Sequence, residues 1–160
     1  MSQIFICLYL YLRPLQQCQV ITEAYMQANP GLTQERALDL ASLTVSAAYA
    51  FQVDPLLAAG VMITESHLKK NQISCCGALG YGQIRWCIWG RILQEYGIAD
   101  CKEDLLADDQ ASIYASVYVL RHLLVRYHGD TERALAAYSG GAKNYSEKVK
   151  RIYKKGVIRF

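Results

Sequence analysis

Residues 54–66, DPLLAAGVMITES, decide how this chain reads. Asp54 followed by Pro55 is a strong helix start. It supplies a capping carboxylate, then a residue with its φ already set and no N–H to leave unpaired. Leu56, Leu57, Ala58, Ala59, Val61, Met62 and Ile63 are then apolar on nearly every side, and a helix apolar all round belongs in the middle of a core. The expected helix runs from Asp54 to about Lys69. Glu65 is out of place in it. Its neighbours at i−4, i−3 and i+3 are Val61, Met62 and Leu68, and helical side chains three or four apart meet. An ionised carboxylate among hydrocarbons is costly, so burial normally raises its pKa and keeps the proton on. A carboxyl still protonated near neutral pH is what a general acid needs. The plainer alternative is a carboxylate near the helix end that reaches solvent or pairs with Lys69 at i+4.

Working outward, both flanks read as helices. Pro30-Gly31 breaks the chain, and Thr33 caps a helix to about Gln52 with Ala37, Leu38, Ala41, Val45, Ala48 and Phe51 on one face. Asn71 to Gly82 holds three glycines and no helical period, so a loop is expected. Ile84 to about Tyr96 fits a helix stopped by Gly97. Asp108 opens a long helix to His128, Asp130 caps a short one through Ala137, and Ser146–Lys155 makes a last amphipathic one after Gly140-Gly141. Strand-type alternation is weak and confined to Ile4–Leu12. The expected fold class is mostly α.

Composition narrows the function classes. The chain has 160 residues, 52% hydrophobic and 19% charged, with 11 Gly and 3 Pro, which excludes disorder, a collagen-like fibre and a low-complexity linker. No apolar stretch approaches the roughly 18 residues of a membrane-crossing helix, so no transmembrane segment is expected. The net charge of +3 is too small to mark a nucleic-acid binder, and no nucleic acid is required. The charge is uneven, however. From Lys143 to Phe160 seven cations face one acid, Glu147, leaving the other 142 residues at −3. A basic end suits an anionic polymer; it equally suits a solvated helix face.

Six cysteines stand at 7, 18, 75, 76, 87 and 101 without a Cys-x-x-Cys spacing, so no metal is expected. Cys87–Cys101, or a bridge from Cys18, are disulfide candidates, and free thiols are the alternative. The apolar run Ile4–Leu12 has the length of a signal core but lacks a preceding Lys or Arg and a nearby Ala-x-Ala site. It is read as a packed or partner-contacting segment rather than an export signal.

Three short motifs follow Glu65 in order. They are Glu65-Ser66, then Gly77-Ala78-Leu79-Gly80-Tyr81-Gly82-Gln83-Ile84, then Ala137-Tyr138-Ser139-Gly140-Gly141. Together with the Asp54-Pro55 lead-in they resemble the catalytic domain of the soluble lytic transglycosylases, relatives of goose-type lysozyme, from about Asn29 to Tyr153. Gly82 stands where that family usually has methionine, and Ser139 where it usually has asparagine.

The resemblance implies a lysozyme-like α-helical domain at 29–160, with a glycine-rich loop or small β element beside the cleft. Residues 1–28 form a hydrophobic docking segment outside it. It further implies cleavage of the β-1,4 bond between N-acetylmuramic acid and N-acetylglucosamine in peptidoglycan, with a 1,6-anhydromuramoyl product and no cofactor. Glu65 is then the acid and Tyr138 orients it. Gln83 and the backbone near Gly80 hold N-acetyl groups. Ser66 bonds within the site or caps its own turn, Ser139 contacts sugar, and Tyr81, Trp86 and Trp89 stack on sugar faces or fill the core. A single acid suffices for this chemistry, and between Ser66 and Gln94 there is no Asp or Glu; Asp108, Asp109 and Glu132 remain the more distant candidates for a second. The setting expected is a bacteriophage virion acting on the host periplasmic wall, with residues 1–28 against other virion or tail proteins. The alternatives are a wall-contacting virion protein with little turnover, a hydrolytic muramidase, or a bacterial periplasmic enzyme.

Overall fold

The computed structural model describes the backbone of residues 3–157 and the side chains of residues 12–152. Its elements follow in the order α1 (Gln3–Ala28), α2 (Gln34–Ala50), α3 (Pro55–Ser66), β1 (Ala78–Leu79), β2 (Ile84–Arg85), α4 (Trp86–Glu95), α5 (Asp104–Ala107), α6 (Asp109–Arg126), α7 (Thr131–Tyr138) and α8 (Tyr145–Val157). The molecule is mostly helical, as the periodicity predicts.

Helix α3 is the centre. Asp54 caps it by accepting from the N–H groups of Leu56 at 2.8 Å and Leu57 at 3.1 Å, and every residue from Pro55 to Ile63 is buried. It stops at Ser66, short of the expected Lys69, because His67 and Leu68 both take left-handed backbone (φ 51° and 56°) and turn the chain away. Helices α1, α2, α6 and α8 pack around it. The approach of α8 is close at Gly60, where a Cβ would stand 3.2 Å from both Cγ1 and the carbonyl oxygen of Val149.

Two buried clusters meet on α6. Its Ile113, Val117 and Leu120 join α1, α2 and α3, while its Ala111, Ala115, Tyr118, Val119 and Leu123 join the β element, α4, α5 and α7. Tyr138 packs against both clusters. The two strands form a small antiparallel ribbon with Ala78 opposite Arg85 and Leu79 opposite Ile84. Pairing of Ile84 and Arg85 delays the following helix to Trp86. The four-residue α5 has too short a pattern to be read from sequence.

The alternation at Ile4–Leu12 is helical, not extended: it lies in α1. A lone apolar stretch of that length fits either structure, and among the described residues the strands β1 and β2 pair with each other. The second half of α1 joins the core, with Ile21 and Tyr25 fully buried and the Tyr25 hydroxyl 2.8 Å from that of Thr44. The side chains of Ile4–Tyr11, and of the basic Lys154, Lys155 and Arg159, lie outside the described residues. Among those described, no helix is long and apolar enough to cross a membrane. Cys18, Cys75, Cys76, Cys87 and Cys101 are free.

Candidate active site

Glu65 occupies the last turn of α3, half-buried. Since the helix ends one residue later, Lys69 is not its helical neighbour, and no ion pair forms between them. The carboxylate Oε1 instead accepts a hydrogen bond of 2.6 Å from the Tyr145 hydroxyl. Burial pushes the Glu65 carboxyl above its ordinary 4.5, and the Tyr145 hydrogen bond opposes that rise without cancelling it. Burial, and then the charge of Glu65, push the Tyr145 hydroxyl well above the ordinary tyrosine value. Tyr145 therefore stays protonated and remains a donor.

The tyrosine hydrogen-bonded to Glu65 is Tyr145, not Tyr138. The Tyr138 hydroxyl donates to the Gly82 carbonyl at 3.0 Å, and its ring stacks on that of Tyr145 with centroids 6.5 Å apart and planes 17° from parallel. Tyr138 thus sits between the Gly82 turn and Tyr145. The sequence carries no local signal for this: Tyr145 stands just before the expected start of the last helix at Ser146, 80 residues from Glu65.

The glycine loop is built for close packing. A Cβ at Gly82 would collide with the Ser116 hydroxyl and come within 2.7 Å of the Tyr138 hydroxyl, so no methionine fits here. Gly80 has φ +72° and lies against the Ser112 hydroxyl and the Leu105 carbonyl, which excludes any side chain. Its N–H donates to the Gln72 carbonyl at 3.0 Å, so it is not free to bind an N-acetyl group. Gln83 Nε2 donates to the Gly80 carbonyl at 3.0 Å and the Gln72 carbonyl at 3.2 Å. That leaves the Gln83 Oε1 as the part of its amide open to a ligand.

Other expected contacts resolve differently. Tyr81 is 2% exposed and offers no face to a sugar. Its hydroxyl donates to Asp109 Oδ1 at 2.9 Å and accepts from Arg36 Nη2 at 3.2 Å, and its pKa is pushed up to about 12 by burial first and by Asp109 second. Burial raises the Asp109 carboxyl, but hydrogen bonds from Arg36 (2.5 Å) and Tyr81, with the nearby charge of Lys70, leave it below the usual value. This cluster ties the loop to α2 and α6. Ser66 is buried and its hydroxyl donates to the Met62 carbonyl at 3.3 Å, closing its own turn. Ser139 donates to the Ala136 carbonyl and accepts from the Ala142 N–H, stitching the turn after α7. Trp86 packs over Gly90.

Beside Tyr138 opens a cavity of about 130 Å³, lined among others by Gln83, Arg85, Ile88, Trp89 and Ala137. Trp89 meets His122 edge to face at 5.2 Å. Among the described residues no group of three or more His, Cys, Asp or Glu is placed to hold a metal ion. Gln83 and Tyr138 line this hollow, Glu65 is joined to it through Tyr145, which stacks on Tyr138, and Tyr81 stands away from it in the Arg36–Asp109 cluster.

Residues 42–159 match the family model described as the transglycosylase SLT domain. The chain is also 34% identical over 110 residues to a protein named transglycosylase from Enterobacteria phage PRD1. That match takes in 67% of this chain and 38% of the relative, so the chain spans well under half of that protein's length. No solved structure gives a significant match.

Proposed function

Because this chain belongs to the transglycosylase SLT domain family, we propose that it is a peptidoglycan lytic transglycosylase in which Glu65 is the single acid–base. Glu65 protonates the glycosidic oxygen of the β-1,4 bond between N-acetylmuramic acid and N-acetylglucosamine. As a carboxylate it then takes the proton from the muramic C6 hydroxyl while that oxygen attacks C1, giving the 1,6-anhydro product. The Tyr145 hydroxyl aims the carboxyl and favours its charged form halfway through the cycle. Gln83 and the aromatic walls of the cavity contact the sugars.

The observation that carries this reading is the half-buried Glu65 carboxyl, raised by burial and held by one tyrosine. The distant acids give it further support. Ordinary glycosidases need a second carboxyl about 5–5.5 Å or roughly 6.5–9.5 Å from the first. Asp108 is occupied in capping α6, Asp109 is engaged with Arg36 and Lys70, and Glu132 pairs with Lys150. A one-acid reaction suits this arrangement better than a hydrolase.

The phage relative supports a place in a virion, acting on the host periplasmic wall; of residues 1–28, the part ahead of the core-packed Ile21 and Tyr25 is the part that docks on other phage proteins. Glu65→Gln keeps the fold and abolishes clearing of purified peptidoglycan. Mass spectrometry of a wild-type digest yields anhydro-muropeptides. Hydrated reducing ends would turn the assignment to a muramidase, and clearing by Glu65→Gln at the wild-type rate would remove Glu65 from it.

A further inference from the structure

Arg85 has no task in the chemistry described so far. It ends the short strand β2, is exposed, and forms no ion pair among the described residues. Its guanidinium crosses the cavity mouth to the turn after α7, so that a Cβ on Gly140 would stand 3.4 Å from Nη2. The other walls include Gln83, Ile88, Trp89, Ala137 and Tyr138. From His67 to Leu93 the sequence has no Asp or Glu to neutralise that cation locally. The hollow therefore has apolar and aromatic sides, an amide, and one unpaired guanidinium.

Its size decides what enters. At about 130 Å³ it is well below the roughly 300–1,000 Å³ of pockets that enclose a whole small molecule, so it takes one substituent of a longer ligand. A guanidinium prefers a planar anion it can grip with two parallel hydrogen bonds, and a carboxylate is such a group. Resting on the glycan-cleaving reading above, we propose that Arg85 binds a carboxylate of the lactyl-peptide substituent of a muramic residue, and so makes the enzyme select peptidoglycan over an uncharged amino-sugar polymer. Tyr138 connects the two halves of the site: it lines this hollow and stacks on the tyrosine that holds Glu65. The carboxylate is either that of the lactyl group on peptide-free strands or one on the stem peptide.

The test uses the full chain with Arg85→Gln and Arg85→Lys, on three glycan preparations. These are strands bearing stem peptides, strands stripped of them by an amidase, and strands with all carboxyls capped as amides. Arg85→Gln raises KM roughly tenfold on a carboxylate-bearing preparation, the scale of one lost charge-assisted contact, with the change falling on KM more than on kcat. Arg85→Lys recovers part of it, and on capped strands variant and wild type have the same KM. An effect confined to peptide-bearing strands assigns the stem-peptide carboxylate; one that survives stripping assigns the lactyl carboxylate. An unchanged KM on both charged preparations, or an equal rise on capped strands, overturns the proposal. If wild type cuts none of the preparations, the reaction assignment fails separately, and cosedimentation with sacculi still decides the matter for Arg85: binding weakened roughly tenfold supports it, unweakened binding overturns it.

Discussion

At the scale of the residue, the site turns on the bond between Tyr145 and Glu65. Tyr145→Phe removes the hydrogen bond that opposes the burial-driven rise of the Glu65 pKa. The alkaline limb of the pH–rate profile, which follows loss of the Glu65 proton, then moves to higher pH. The rate at its optimum falls roughly 10- to 100-fold, because the acid is no longer aimed. A pH–rate profile of both forms checks this; superimposable profiles would show that Tyr145 only packs. Glu65 also ties stability to pH. Its folded-state pKa lies above the ordinary 4.5, so the folded state holds the proton more tightly than the unfolded state. Stability therefore falls as pH rises from the unfolded value through the folded one. Glu65→Gln escapes that cost. Its melting temperature relative to wild type climbs as pH rises above the ordinary 4.5, and thermal melts at pH values on both sides of it will show whether the gap widens.

At the scale of the element, Gly60 sets the distance between α3 and α8 that brings Tyr145 to Glu65. Gly60→Leu would force α8 off α3, since even a Cβ meets Val149 at 3.2 Å. The expected outcome is a loss of activity with most helix retained, checked by circular dichroism beside a wall-clearing assay. Asp54→Ala, by contrast, unties the first turn of α3, and loss of that cap costs about 1 kcal/mol, measurable in a denaturant melt. These two helices also show how far the sequence could be read. Pro55 and Asp54 announce α3, and its all-round apolar surface places it in the core, because capping and periodicity are local signals. Glu65, Gln83 and Tyr138 are legible for the same reason, as members of short ordered motifs. Tyr145 is not, because its partner is 80 residues away and only the crossing of α3 and α8 joins them. Tyr81 misleads in the opposite sense: an aromatic beside glycines looks like a sugar platform, and nothing local reveals that Asp109 and Arg36 draw its hydroxyl inward.

At the scale of the whole molecule, α6 is the shared wall of two cores, and Tyr138 touches both. Leu120 is fully buried on α6. Leu120→Ala leaves a cavity there and costs roughly 2–5 kcal/mol, read from equilibrium unfolding. Because the site straddles the two cores, the same variant should lose activity in the temperature range where its fold loosens, before bulk unfolding is complete. Activity that persists up to the melting point would mean the site does not depend on how the two halves are held together.

The pairing of Glu65 with a tyrosine from α8 also bears on how the protein is born. Synthesis runs from the amino end, so the ribosome delivers the acid long before it delivers what aims it. A nascent or prematurely terminated polypeptide reaching past residue 65 but short of residue 145 holds a carboxyl without its guide. On the function proposed above, lytic competence arrives only once residue 145 has been made, and a protease that nicks the Gly140-Gly141 turn and frees α8 would disarm the molecule without touching Glu65 itself.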